Sequence, residues 1–101
     1  MFENIQPISI TERAATEIKK IMATKNIPTG YGLRVGIKGG GCGAQLIIGF
    51  DKKKSTDKEY LLSDIPVYID KSHTLYIMGK SVDYYESSDE HGFMFTDDPK
   101  N

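Results

Sequence analysis

Gly32-Leu33-Arg34-Val35-Gly36-Ile37-Lys38 runs directly into Gly39-Gly40-Gly41-Cys42-Gly43, and the reading of this stretch decides the fold. Leu33, Val35 and Ile37 alternate with Arg34, Gly36 and Lys38, which is the period of two expected of a half-buried strand. Gln45 to Phe50 is mostly apolar and reads as a second strand, so the pair forms a hairpin with Cys42 near its tip. A plain turn needs one or two glycines. A cluster of them loses extra chain entropy on folding, but it lets a backbone, a ligand or a metal approach closely. The stretch from Gly39 to Gly43 is expected to be more mobile than the strands beside it.

The only thiol in the chain sits inside that cluster. A free cysteine is often a small buried hydrophobe, but neighbouring glycines offer Cys42 no apolar pocket. Successive loop N–H groups can point at the sulfur instead and favour the thiolate. The thiolate is the form that binds iron or attacks an electrophile.

Upstream, residues 1–8 read as an extended lead-in, with Pro7 disfavouring helix at Gln6. Ser9 or Thr11 can cap a helix, and Ser9 with Glu12 has the spacing of a capping box. Ala14, Ala15, Ile18, Ile21 and Met22 form one apolar stripe, which predicts a helix near 11–25 ended by Asn26 and Pro28. Ile18, Ile21 and Met22 are expected to bury against a core that includes Leu33, Val35 and Ile37. Downstream, Asp51 to Glu59 reads as a charged, solvated loop. Tyr60–Leu62 and Val67–Ile69 read as short strands separated by a turn at Ser63–Pro66. Ser72 to Ile77 reads as a short helical turn ended by Met78-Gly79, and Val82–Glu86 and Gly92–Phe95 as further strands. One N-terminal helix followed by about six short strands implies a single, mainly β domain over 1–101, a compact sandwich or partial barrel.

Composition removes several classes of function. A formal charge of −1 lacks the basic surplus that nucleic-acid binding uses. No apolar run approaches the ~18 residues of a membrane helix, and Met1 to Asn4 has no signal-peptide character. One cysteine cannot form an internal disulfide or a CxxC pair. These features imply a soluble cytoplasmic protein with neither nucleic acid nor membrane as a partner. Gly39-x-Gly41-x-x-Ala44 matches the dinucleotide fingerprint as a string, but it precedes a strand where a helix is required. Gly79-Lys80-Ser81 lacks the first glycine of a P-loop, since Thr74 stands there. His73 and His91 have no partner at metal-ligand spacing and read as ordinary surface or loop residues. Either joins a metal site only if folding or dimerisation brings it near Cys42. The acidic residues from Glu86 to Glu90 and at Asp97-Asp98 lack the pattern of a calcium loop.

Several segments together resemble one family. They are Ile10 to Ala15, Gly32 to Lys38 running into Gly40-Gly41-Cys42-Gly43, Val67 to Asp70 with Leu75-Tyr76, Val82-Asp83-Tyr84, and Gly92-Phe93. In order and spacing they are similar to the HesB/IscA-type (A-type) iron–sulfur carriers over nearly the whole chain. The resemblance implies a HesB-like domain, a role in iron–sulfur cluster assembly and transfer to apo-proteins, no enzymatic activity, and a homodimer or higher oligomer. It also implies Cys42 as the ligand to iron or an iron–sulfur cluster. The family's remaining two cysteines, in a C-terminal CGC, have no counterpart up to Asn101, and Ala44 replaces the usual serine–glycine after the first. Clusters normally take four ligands, mostly thiolates, so a dimer's two copies of Cys42 leave positions for exogenous thiol, carboxylate, histidine or another protein. The competing expectation is an interaction module that keeps the fold as a docking surface and binds no metal. A thiol-dependent enzyme needs a base beside Cys42, and neither histidine has a motif for one.

Overall fold

The computed structural model of the chain describes residues 6–39 and 45–97. It begins with a short strand, β1 (Ile8–Ile10), and one long helix, α1 (Glu12–Thr24). The strands β2 (Tyr31–Lys38), β3 (Gln45–Lys52), β4 (Asp57–Leu62) and β5 (Ile65–Asp70) follow. A 3-10 turn (Lys71–His73) and a short helix, α2 (Thr74–Ile77), lead to β6 (Lys80–Glu86) and β7 (His91–Asp97). The strands form two sheets, ordered β1-β6-β7 and β3-β2-β5-β4. The mainly β class with one N-terminal helix is therefore as expected.

Thr11 caps α1, and Ser9 does not. Ser9 lies in β1, which pairs in parallel with β6, and its hydroxyl donates to Ser81 Oγ at 3.0 Å. Thr11 Oγ1 accepts from the Ala14 N–H and itself donates to Asp83 Oδ1 at 2.7 Å. At the other end Asn26 takes a left-handed conformation (φ 52°), and the Ile27 N–H reaches back to the Met22 carbonyl at 3.2 Å. That bond spans the helix end and satisfies a carbonyl left open by the last turn. Ala14, Ala15 and Ile18 are buried and Met22 packs on the core, whereas Ile21 is only half-buried, on the edge of the stripe.

The core draws on both sheets and both helices. Ile8, Ile18, Leu33, Val35, Ile65, Val67, Ile69, Ile77 and Val82 are almost wholly buried. Leu33 and Val35 on β2 face this core, and Ile37 packs at its margin. The β4–β5 turn is tighter than the sequence suggested. Leu62 pairs with Ile65, leaving Ser63 and Asp64 as the two central residues, both at positive φ (51° and 66°). A two-residue hairpin connection favours such angles because its twist then matches the strands. Ile65 and Pro66 belong to β5.

Asp83 on β6 fastens α1 to the small sheet. Besides Thr11, it accepts from Arg13 Nε and Nη2, both at 2.8 Å, and from the Tyr84 N–H. Arg13, then Thr11 and the Tyr84 N–H, hold its carboxyl well below the usual carboxylate range against the opposing effect of burial. Asp83 is nearly buried, while the Arg13 side chain is largely exposed. Replacing the acceptor therefore loses more than replacing one donor. We expect Asp83→Ala to cost about 2–3 kcal/mol, the range of a hydrogen bond to a charged group. Arg13→Ala should cost clearly less. Urea unfolding of both variants checks this, and an equal loss contradicts the account.

Candidate functional site

The site begins with β2, whose register with β3 runs from Tyr31↔Lys52 to Lys38↔Gln45. Cys42 therefore belongs to the connection between paired strand ends. Cys42 itself, with Gly40, Gly41, Gly43 and Ala44, lies outside the described residues, and so do the expectations of its place at the hairpin tip and of a mobile loop. The described side chains around β2 define the surroundings of that connection.

Side chains on β2 alternate, so Gly32, Arg34 and Gly36 lie on the face opposite Leu33 and Val35. That face is covered closely at two points. A Cβ on Gly32 would stand 2.7 Å from the Pro66 carbonyl oxygen and 2.8 Å from the Tyr68 ring. On Gly36 it would stand 2.6 Å from His73 Nδ1. At Gly32 a backbone carbonyl occupies the space of a side chain, so glycine is needed there, whereas at Gly36 only the movable His73 imidazole occupies it.

Arg34 lies between them and is fully engaged. Its Nη1 and Nη2 donate to the two Asp57 carboxylate oxygens at 2.7 and 2.6 Å, and its Nε donates to Asp51 Oδ2 at 3.0 Å. Nη2 also reaches the Lys52 carbonyl. The Asp57 side chain has no solvent exposure, and it accepts a further bond from the Lys54 N–H at 2.7 Å. Arg34 first, and the Lys54 N–H after it, outweigh burial and pull the Asp57 carboxyl down to about 2. The expectation of a solvated loop from Asp51 to Glu59 is thus corrected. Asp51 and Lys52 extend β3, Asp57 opens β4, and a buried ion pair ties the segment to β2. The overlooked signal was Arg34 itself, a lone arginine set between two glycines on one strand face.

The same network positions His73. Thr56 Oγ1 donates to Asp70 Oδ2 at 3.1 Å, and the Lys71 N–H donates to the Thr56 carbonyl at 2.9 Å. Asp70 Oδ1 accepts from Ser72 N and Oγ, at 2.9 and 2.7 Å. The Ser72 bonds are the main reason the Asp70 carboxyl sits below its ordinary range. The turn so held lays the imidazole on Gly36, which corrects the reading of His73 as an ordinary loop residue. His73, Asp70, Lys54, Arg34 and Ile47 line a cleft of about 200 Å³ on this face. His91 is elsewhere, on β7, with its ring 6.3 Å from that of Tyr84. Among the described residues no three His, Cys, Asp or Glu side chains form a group able to hold a metal. Beyond His73 the chain exposes Leu75, Tyr76 and Met78 to solvent in quick succession. No helix among the described residues is long and apolar enough to cross a membrane.

A two-sheet β domain with one capped helix, and a single thiol in the connection of its β2–β3 hairpin, is the class of protein these features define. Residues 6–101 match the family described as iron-sulphur cluster biosynthesis. The iron-sulfur cluster insertion protein ErpA of Idiomarina loihiensis is 36% identical over 99 residues, covering 96% of this chain and 84% of that one. Among solved structures, Escherichia coli SufA, involved in biosynthesis of iron-sulfur clusters, superposes with a TM-score of 0.74 at 22% identity. That match covers 93% of this chain and 82% of SufA. IscA with the [2Fe-2S] cluster superposes at 0.68 and 21%, over 89% and 81%. The two structures speak for the fold. The chain belongs to the iron–sulfur cluster biosynthesis family of HesB/IscA type, the A-type carriers, and its function lies in iron–sulfur cluster assembly.

Two predictions follow from the second face of β2. Asp57 has a folded pKa near 2, below the ~3.9 of an unfolded aspartate. Its stabilising contribution is therefore complete above about pH 4 and is lost as pH falls toward 2. Asp57→Ala, which leaves Arg34 without its main partner, should cost about 3 kcal/mol at neutral pH and flatten the loss between pH 4 and 2. Denaturation curves across that range test both effects. For the glycines, Gly32→Ala meets a backbone carbonyl and should destabilise strongly. Gly36→Ala meets only an imidazole that can swing away, so it should keep the fold but displace His73. Gly49→Ala, with open space above it, should be nearly neutral. Thermal melts and the His73 ring resonances report this order, and equal losses at Gly32 and Gly36 would contradict it.

Proposed function

We propose that this chain carries iron or an iron–sulfur cluster as cargo through the Cys42 thiolate and passes it to apo-protein acceptors, acting as a homodimer and without catalysing a reaction of its own. The observation that carries the reading is the β2–β3 register. It closes on Lys38↔Gln45, so the connection bearing the only thiol of the chain springs from a fully paired hairpin of the large sheet. Supporting it are the family match, which spans Cys42, and the names of relatives such as ErpA.

The donor set fits loose holding better than permanent binding. Two chains contribute two thiolates, while a cluster takes about four ligands, so other donors fill the remainder. Added thiols such as glutathione are suited to that. A second reading, a docking module that binds no cargo, is favoured by the exposed Leu75, Tyr76 and Met78. Apolar side chains exposed together mark contact surfaces on many proteins.

Anaerobic reconstitution with iron, sulfide and glutathione, followed by visible absorption and sedimentation, tests the proposal. The wild-type chain should gain a cluster spectrum together with a dimer. Cys42→Ser should lose both and keep its fold. Full retention of the spectrum by Cys42→Ser overturns the assignment of the ligand. Absence of iron and sulfide uptake by the wild-type chain overturns the carrier reading and leaves the docking module.

A further inference from the structure

We propose that two copies of this chain join edge to edge through β7, antiparallel, about a two-fold axis at Met94. The proposal rests on the homodimer of the carrier reading and deepens it by naming the surface that joins the copies. It needs neither cargo nor thiol.

The first argument is the state of the edge. β7 ends the order β1-β6-β7 and is bonded on one side only, to β6. In an antiparallel pair, alternate residues turn their N–H and C=O away from the neighbouring strand. Among the described residues those groups on β7 find no backbone partner. β3 passes near β7 but forms no ladder with it. Open edges are normally guarded against pairing by charged side chains, proline, a bulge or shortness. β4, at the edge of the large sheet, carries exposed Lys58 and Glu59, and β1 is three residues long. β7 has none of these guards in its middle. Gly92 to Thr96 hold no charge, and the register with β6 is unbroken from His91 to Asp97.

The second argument is that the strand complements itself. An axis through Met94 sets His91 opposite Asp97 of the second copy, and Phe93 opposite its Phe95. Residues directly opposite share a face and interact as pairs. The rows then continue across four strands. Glu86 already stands opposite His91, and Lys80 stands opposite Asp97 with Nζ 2.9 Å from Oδ1. The joined sheet therefore runs Glu86, His91, then Asp97 and Lys80 of the second copy, with charge alternating when the imidazole is protonated. The Asp97 side chain is 87% exposed, so its second oxygen is open to another donor. The next row is Tyr84, Phe93, then Phe95 and Val82 of the second copy. It extends the packing of Tyr84 on Phe93, whose ring centroids are 5.0 Å apart.

The third argument is register. An axis at Phe93 would set Asp97 against Asp89, like charge on like. An axis at Phe95 would set Asp97 against Phe93 and strand the charge on an aromatic ring. An axis between two residues would turn the core faces of the two copies to opposite sides of the sheet. The axis at Met94 pairs opposite charges and keeps both cores on one side. A contact seven residues long is small beside the ~800 Å² per partner of a stable interface, so the cargo-free dimer is weak and reversible.

The experiment uses the full, metal-free chain carrying Cys42→Ser, followed by sedimentation equilibrium and amide exchange at rising protein concentration. A reversible dimer should form, and alternate amides between His91 and Asp97 should gain protection as it does. Adding His91→Asp sets carboxylate against carboxylate and should weaken the dimer about tenfold. Adding Asp97→Lys instead sets lysine beside histidine and should weaken it as well. An equimolar mixture of these two variants restores opposite charges at both ends, so it should associate more tightly than either alone. That rescue separates pairing across the axis from damage to the fold, which mixing cannot repair. A chain that stays monomeric, a dimer indifferent to His91→Asp, or a mixture no tighter than its components overturns the proposal. So does protection gained at Leu75 to Met78 in place of β7. Because no cargo is present, failure here is distinct from failure of the carrier reading, which the wild-type reconstitution decides.

Discussion

The pairing of Arg34 with Asp57 is the constraint on which the second face of the large sheet depends. A carboxylate with no solvent exposure is tolerable only with its charge and its oxygens satisfied, and here a bidentate guanidinium and the Lys54 N–H do so. The consequences run outward through β4. Fixing Asp57 places Thr56, Thr56 holds Asp70 and Lys71, and Asp70 sets the turn that ends in His73. An arginine on the central strand thereby determines where an imidazole rests two residues further along the same strand. The pair also explains why β2 is glycine-rich on that face. Arg34 spreads across the neighbouring strands, and the flanking positions must accept Tyr68 and His73 packed close against the backbone.

Much of this architecture could be read from residue periodicity. The alternation of Leu33, Val35 and Ile37, the Ala14–Ala15–Ile18 stripe and the punctuation at Asn26 and Gly79 are local signals, and local signals survive into the fold. What could not be read depended on partners distant in sequence. β1 is three residues long and exists because β6 offers it an edge, so nothing in Ile8-Ser9-Ile10 distinguishes it from a lead-in. Asp57 sits in a run of charges whose composition argues for solvent, and only Arg34, 23 residues away, reverses that. His73 looked isolated because its contact is with a glycine, which has no side chain to betray the pairing. The glycine cluster around the single thiol drew attention to Cys42, and the resemblance implied a ligand role for it. Periodicity supplied the strands that lead to it.

On the proposed carrier reading, how loosely cargo is held would follow from how many ligands each chain contributes. A protein that completes a cluster's coordination itself holds it firmly, and the cluster then leaves slowly. On that reading, a chain that contributes few ligands of its own would leave part of the coordination to small thiols or to the acceptor. Ligand exchange can then begin at a position the carrier does not own.

On the same reading, recognition of an acceptor would draw on surfaces other than the cargo. α2 is too short to stand alone, and it is anchored through Ile77, which is wholly buried. That single anchor turns Leu75 and Tyr76 outward, followed by Met78. An apolar contact of this kind is insensitive to the oxidation state of the iron and is not screened by salt, unlike a charged one. Because the turn carrying His73 runs directly into α2, a partner settling on Leu75 and Tyr76 would press on the same short segment that holds the imidazole against Gly36.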